Sequence, residues 1–310
     1  MSAQAERADA TRGTAMGHGA AGLLFGAASV ALFSAFTLVS RAGLTSTLQP
    51  WDLIALRFGI GGLLLLPVFA RKRLGGVAPA QAMALAFTGG LGFAACAYVG
   101  FALAPATHGA VLLHGTLPLS THLLAHSERG ANRRTVGLVL IASGVAAMAV
   151  EGASASTPRQ WLGDGALLLA SFSWATYGLL ARRLQLPPSH LASIVAVLSA
   201  SASIPMLLLL PGLRFSQAPW QEWALQAAFQ GVLVGIVSLF VYSSAVTRMG
   251  PRRTALATAA VPCVTTLGAM LFLGESPSAL VLAGIALVTA GMGVSLSWRG
   301  PRPTPDRDAT

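Results

Sequence analysis

Ten stretches of about twenty mostly apolar residues follow one another along this chain, each long enough for a helix to cross the hydrocarbon of a bilayer. They cover 19–40, 51–70, 80–101, 104–125 and 134–150, then 162–181, 189–211, 224–245, 253–273 and 278–298. Inside a bilayer a backbone must satisfy its own hydrogen bonds, and a helix does so within one segment. The expected fold is therefore all-α, a polytopic membrane protein of ten transmembrane helices. Only 10% of the 310 residues are charged, against about 25% in soluble domains, so charge cannot clothe a water-facing surface. The abundant glycine suits close helix packing in lipid, and the abundant proline is tolerated there. The polar stretch 1–17 and the Pro-rich 299–310 read as disordered tails, and 151–161 as a linker. The run from Gly19 lacks a small-residue cleavage site and reads as a retained first span, not a removed signal peptide.

Charge fixes an orientation. With the N-terminus in the cytoplasm, the inside loops carry Arg71, Lys72 and Arg73; Arg129, Arg133 and Arg134; Arg182 and Arg183; Arg248, Arg252 and Arg253. The tails add Arg7, Arg12, Arg299, Arg302 and Arg307, while the outside loops hold Arg41, Arg159 and Arg214. This alternation follows the positive-inside rule and places both termini in the cytoplasm. The formal net charge of +10 is thus spread over short loops, not gathered on one face or tail as in a nucleic-acid binder. Trp51, Trp161, Trp220, Trp223 and Trp298 fall at span boundaries, where an aromatic belt is expected. Cys96 and Cys263 lie within apolar runs and read as inert thiols, without a disulfide framework.

The two halves resemble each other. THGAVLLHGTLPLSTHLLAHSERGANRRTVGLVLIASGVAAMA, from Thr107, aligns with RRTALATAAVPCVTTLGAMLFLGESPSALVLAGIALVTAGMGV, from Arg252. Pro118 corresponds to Pro262, Glu128 to Glu275, and the spacing of Gly137 and Gly144 to that of Gly284 and Gly291. Phe33, Phe36 and Arg41 align with Trp174, Tyr177 and Arg182. Repeats 18–150 and 162–298 each hold five runs. An odd number turns the second repeat upside down, and such inverted repeats hold a site near the midplane that rocking exposes to either side.

SFSWATYGLLARRL (171–184) and LFLGESPSALVLAGIALVTAGM (271–292) resemble the second repeat of the EamA family, within the drug/metabolite transporter (DMT) superfamily. The likeness covers about residues 18–298. It implies a ten-helix inner-membrane transporter of two five-helix repeats with cytoplasmic ends, exporting amino acids, other metabolites or drugs, with some members importing. The first repeat departs from the pattern by three residues fewer between Pro118 and Gly137 than between Pro262 and Gly284, and by its histidines.

Several residues inside the runs are candidates for substrate contact. Arg57 lies about seven residues into the second run, where a cation costs about 2.5–3.5 kcal/mol to insert. It either faces a central cavity, where it favours an anionic or zwitterionic group, or snorkels outward to pair with Asp52. An Arg at this place recurs in the family, and the second repeat has no counterpart. Trp174, Tyr177, Tyr98 and Tyr242 carry polar tips that either stack on substrate or bond to neighbouring helices. Of His108, His114, His122 and His126, His114 is the deepest and is a candidate proton carrier. The i, i+4 spacing of His122 and His126 fits a metal, but no third ligand is in view and no metal site is assigned. Pro118 and Pro262 each interrupt a span and are expected to kink it. Ser276 and Pro277 read as the cap and first residue of the tenth helix, with Glu275 structural beside its positive end.

No GxSxG, HExxH or phosphate-binding Gly loop is present, and no pair of carboxylates lies inside a run. The chain reads as no enzyme, needing no cofactor and not itself using ATP. The expected function is secondary transport, with export of a small polar, amino-acid-like metabolite or a drug-like molecule. Its partners are a small-molecule substrate, the lipid bilayer and a proton or other coupling ion; the Gly-rich spans serve either internal packing or a homodimer. The alternatives are an importer of the same fold and an intramembrane metal- or His-dependent enzyme built on the fourth run. A membrane adaptor would carry large soluble loops, which this chain lacks.

Overall fold

The computed structural model describes residues 2–125, 132–155, 157–209 and 217–297, with side chains over 20–125, 134–151, 157–205 and 217–296. Within these residues the chain is helical and carries no strand. The helices are α1 (Ser2–Thr45), α2 (Pro50–Lys72), α3 (Pro79–Ala86), α4 (Gly92–Leu103), α5 (Ala106–Gly109), α6 (Leu117–Leu124) and α7 (Asn132–Ala155). They continue as α8 (Pro158–Leu184), α9 (Pro188–Leu209), α10 (Trp220–Gln226), α11 (Ser238–Met249), α12 (Pro251–Thr258), α13 (Val261–Phe272) and α14 (Ala279–Ser297). α1 begins within the stretch read from sequence as a polar tail. Proline opens α2, α3, α8, α9 and α12, where its missing N–H would have had no partner and its fixed φ suits the first turn.

Eight segments among the described residues are long and apolar enough to cross a membrane: Ala20–Thr45, Pro50–Lys72, Pro79–Leu103, Arg134–Glu151, Pro188–Pro205, Trp220–Met249, Pro251–Phe272 and Ala279–Leu296. The fourth and sixth sequence runs are not among them. The fourth is cut into α5, a π-helical turn (Ala110–Gly115) and α6, and residues 126–131, with His126 and Glu128, lie outside the described set. The sixth, α8, is an unbroken helix of 27 residues, but it carries Asp164, Ser171, Ser173, Trp174, Thr176 and Tyr177. Hydropathy is low there because the helix turns polar groups inward: Ser171 is fully buried against Thr116 and Ser120.

The third and eighth sequence runs share another irregularity. A π-helical turn (Phe87–Leu91) joins α3 to α4, and a π-helical stretch (Ala227–Val237) joins α10 to α11. α7 packs along α14, α2 along α9, α4 along α8 and α1 along α11, while α3 lies on α9, α6 on α8 and α1 on α13. Where α7 crosses α14 the backbones nearly touch, at Gly137 with Gly291 and at Gly144 with Gly284. Leu23, Leu24, Leu63, Phe240 and Phe272 face outward, as lipid-facing residues do.

Polar ties define one end of the bundle. Arg41 donates to the carbonyls of Phe101 (2.6 Å) and Ala102 (3.1 Å), and the Ser46 hydroxyl donates to Glu222. The Ser278 hydroxyl donates to Glu151 (2.6 Å), and His108 meets Asp164 (2.9 Å). Glu275 accepts from the amides of Ala106 (2.6 Å) and Thr107 (3.0 Å). With Asp52, which accepts from the Gln49 amide at 2.8 Å, these are all the acids whose side chains are described, and they share this end. The opposite end holds Arg71, Lys72, Arg73, Arg182, Arg183, Arg248, Arg252 and Arg253, and is tied by His190 Nε2 to the Arg73 carbonyl at 3.0 Å.

Two expectations at the tenth helix are corrected. The capping hydroxyl is Ser278, not Ser276: its Oγ accepts from the Val281 amide at 3.2 Å, and α14 starts at Ala279. Gly274 at φ +66° turns the chain, and Glu275 caps α5, at the start of the fourth sequence run, through the Ala106 and Thr107 amides.

Candidate functional site

α2, α4 and the π stretch after α10 bring three polar side chains together in the apolar interior. Arg57 is 8% exposed, and its Nη1 lies 3.5 Å from the Tyr98 hydroxyl. Tyr98, fully buried, donates to Gln230 Oε1 at 3.0 Å. Gln230 Nε2 donates to Ser40 Oγ (2.9 Å) and Gln226 Oε1 (3.1 Å), and Gln226 Nε2 donates to the Val39 carbonyl (2.7 Å). The network thus joins first-half residues Ser40, Arg57 and Tyr98 to second-half residues Gln226 and Gln230.

Aromatic rings surround the guanidinium. Its carbon lies 5.5 Å from the Phe36 centroid, 5.6 Å from Phe58 and 5.7 Å from Phe93, within the range of cation–π attraction. Phe93 continues to Trp174 (4.8 Å), and Trp174 to Tyr177 (5.0 Å). Arg57, Tyr98, Trp174 and Tyr177 therefore form one connected cluster. Arg57 is directed inward; Asp52, its snorkelling partner in the alternative reading, caps the first turn of α2 through Gln49.

His114 and Tyr242 lie in a separate group on another face of α1. His114 Nε2 is 3.2 Å from Thr37 Oγ1, the imidazole stacks on Phe33 at 6.3 Å, and Phe33 meets Tyr242 at 5.8 Å. Ser40 and Thr37 are successive steps along the buried polar side of α1, so that helix links the two groups. Pro118 stands in the first turn of α6 and Pro262 in the first turn of α13, each just after an interruption of the helix: the π turn ending at Gly115, and the turn at Ala259–Ala260. Among the described residues no group of three or more His, Cys, Asp or Glu side chains is placed to hold a metal ion.

Sequence reasoning passed over Gln226 and Gln230. Their signal is two amides four residues apart in an apolar stretch, hence on one helical face. It also passed over Asp164, which lies 2.9 Å from Nδ1 of the buried His108 at the acid-bearing end.

The EamA-like transporter family model matches residues 161–297. No curated protein matches the chain. Fourteen chains of solved structures match it. One, described only as "Crystal structure of protein", has a TM-score of 0.57 at 22% identity, over 88% of this chain and 96% of that one. Likeness at that identity bears on the fold alone.

Proposed function

We infer that this chain, a member of the EamA/DMT superfamily, is a secondary transporter that exports a small polar, amino-acid-like metabolite or a drug-like molecule. Its substrate is held between two halves that rock about a central site. Ten spans form two inverted five-helix repeats, with α8 as the sixth and the α5–α6 segment as the fourth. Three features support the inversion. The π-helical irregularities fall in the third and eighth spans, the proline-linked breaks in the fourth and ninth, and the internal prolines Pro67 and Pro205 in the second and seventh. The packing partners also exchange under the same correspondence: spans one and eight pair like three and six, and spans three and seven pair like two and eight. The arginine-bearing end is cytoplasmic, with both termini there, and the membrane is the inner membrane.

The observation that carries the reading is the Arg57–Tyr98–Gln230 network across the two halves. A buried guanidinium whose neighbours are a phenol and three apolar rings has no countercharge beside it among the described residues, and a substrate carboxylate supplies one with a bidentate fit. The test is counterflow in proteoliposomes loaded with a pool of amino acids and other metabolites. Exchange of any member by the purified protein supports transport; no exchange by folded protein across the whole pool contradicts it. Trials in both membrane orientations, with and without a gradient, separate export from import.

A further inference from the structure

The fourth span carries three imidazoles at three depths, each in a different setting. His108 meets Asp164 and lines a cavity of about 360 Å³ at the acid-bearing end, beside Thr107, Gln160, Glu151 and Glu275. His114, six residues on, lies in the π turn against Thr37 and Phe33. His122, eight residues further on α6, has its Nδ1 buried with no hydrogen-bond partner among the described residues.

Beside His114 the α1–α13 junction holds unsatisfied polarity. The two helices run in the same direction, because Gly26 stands by Ala257 and Leu38 by Gly268. Ser34, four residues before Leu38, and Thr265, three before Gly268, therefore lie at one level, about a turn from Thr37. Both hydroxyls are buried with no partner among the described residues. Elsewhere in the bundle buried hydroxyls bond back to their own helix or its first turn, as Ser29, Thr116, Ser193, Thr254 and Thr266 do. An orphaned buried hydroxyl is costly, and water is its usual remedy.

No described charge faces His114. Asp52, Glu151, Asp164, Glu222 and Glu275 are engaged at the end of the bundle with Gln49, Ser278, His108, Ser46 and the α5 amides. Arg41 of α1 is held by the Phe101 and Ala102 carbonyls. On the elements packed around the turn, α14 has no ionisable side chain, and α13 has only Cys263, which is bonded to Thr289. α7 bears Arg134 and Glu151 at its two ends; α8 bears Arg159, Arg182 and Arg183 near its ends, and Tyr177 in the Trp174 stack. Tyr242 is separated from His114 by the Phe33 ring. A charged imidazole in this arrangement would have no countercharge among the described residues.

We propose that His114 is the coupling-proton site, protonated in conformations that admit water to the α1–α13 junction and neutral in the arrangement described here. The proton adds to the ring nitrogen that the neutral imidazole leaves as an acceptor, and it returns to water when the junction closes. His108 with Asp164 is the station that receives protons from the cavity, and His122 the station toward the arginine-bearing end. Protons entering through this span drive substrate the other way. The coupling rests on the transporter reading above; the proton response of the span does not.

Hydrogen–deuterium exchange of residues 104–125, corrected for intrinsic rates, tests this on the full chain in liposomes at pH 5.5–8 without substrate. The expected result is a several-fold change in exchange across a single midpoint, lost in His114→Gln. Thr37→Val, which keeps the side-chain shape and removes the hydroxyl partner, shifts the midpoint and keeps the test decisive if the histidine variant misfolds. A pH-independent wild type, or a response unchanged in both variants, overturns the proposal. A response that depends on His114 in a protein showing no counterflow upholds the proton site and contradicts the transporter reading alone.

Discussion

Gly144 and Gly284 face each other across α7 and α14, and a Cβ on Gly284 would stand 2.8 Å from the Gly144 carbonyl oxygen. One turn-pair away, a Cβ on Gly291 would stand 2.6 Å from the Gly137 carbonyl. In sequence Gly137 aligns with Gly284 and Gly144 with Gly291, so each glycine packs on the counterpart of the other. The proposed two-fold relation between inverted copies would produce such a crossed pairing. Without side chains at the crossing, the helices come close enough for dispersion and weak Cα–H···O contacts to hold them in lipid.

Gly144→Leu is therefore expected to force α7 and α14 apart, with an overpacking cost of about 1–3 kcal/mol or more. Gly293→Ala, on α14 where a Cβ meets nothing within 4 Å, serves as the control. Thermal unfolding in detergent should show a clear loss for the first and almost none for the second. Equal midpoints would contradict the close crossing.

Tyr98→Phe and Gln230→Leu are expected to be non-additive. Each alone strands a partner in the Arg57 network, at about 1–3 kcal/mol per buried unsatisfied group, whereas the double variant strands less. A double-mutant cycle on stability measures the coupling. Simple additivity would mean that the two side chains do not bond as described.

The sequence carried the class of fold because hydropathy integrates over twenty residues, and it carried the Gly137, Gly144, Gly284 and Gly291 spacing because a repeat copies it. It also singled out Arg57, Tyr98, Trp174 and Tyr177, since polar tips are conspicuous in apolar runs. Their grouping was beyond it, because which face of each helix meets which neighbour is set by long-range packing. Gln226 and Gln230 were lost for a related reason: an amide hardly lowers the hydropathy of a long run, yet buried beside Tyr98 and Ser40 it organises the interior. Glu275 was placed beside the helix next to it in sequence, while its backbone partners, Ala106 and Thr107, lie far away along the chain. The polar face of α8 shows the converse, since Ser171, Ser173 and Tyr177, turned toward neighbouring helices, lower the hydropathy of a long helix packed in the bundle.

Glu275→Ala removes the acceptor for the Ala106 and Thr107 amides and is expected to destabilise α5 by about 0.5–2 kcal/mol, the usual cost of a lost cap. Faster amide exchange confined to residues 104–109 is the predicted signature. Glu275→Gln, which keeps an acceptor oxygen, should recover part of the loss. No change in either variant would mean that the carboxylate does not hold α5.

The central claim is that substrate is held at Arg57, and its most direct test is concentration-dependent counterflow of a radiolabelled amino-acid pool by wild type, Arg57→Lys and Arg57→Ala in proteoliposomes. The account predicts exchange by wild type, a KM raised at least tenfold or exchange abolished in Arg57→Ala, the loss of roughly 1.4 kcal/mol or more of binding, and partial recovery with lysine, which restores charge without the bidentate fork. Wild-type kinetics in a folded Arg57→Ala protein, for every substrate that exchanges, would contradict it.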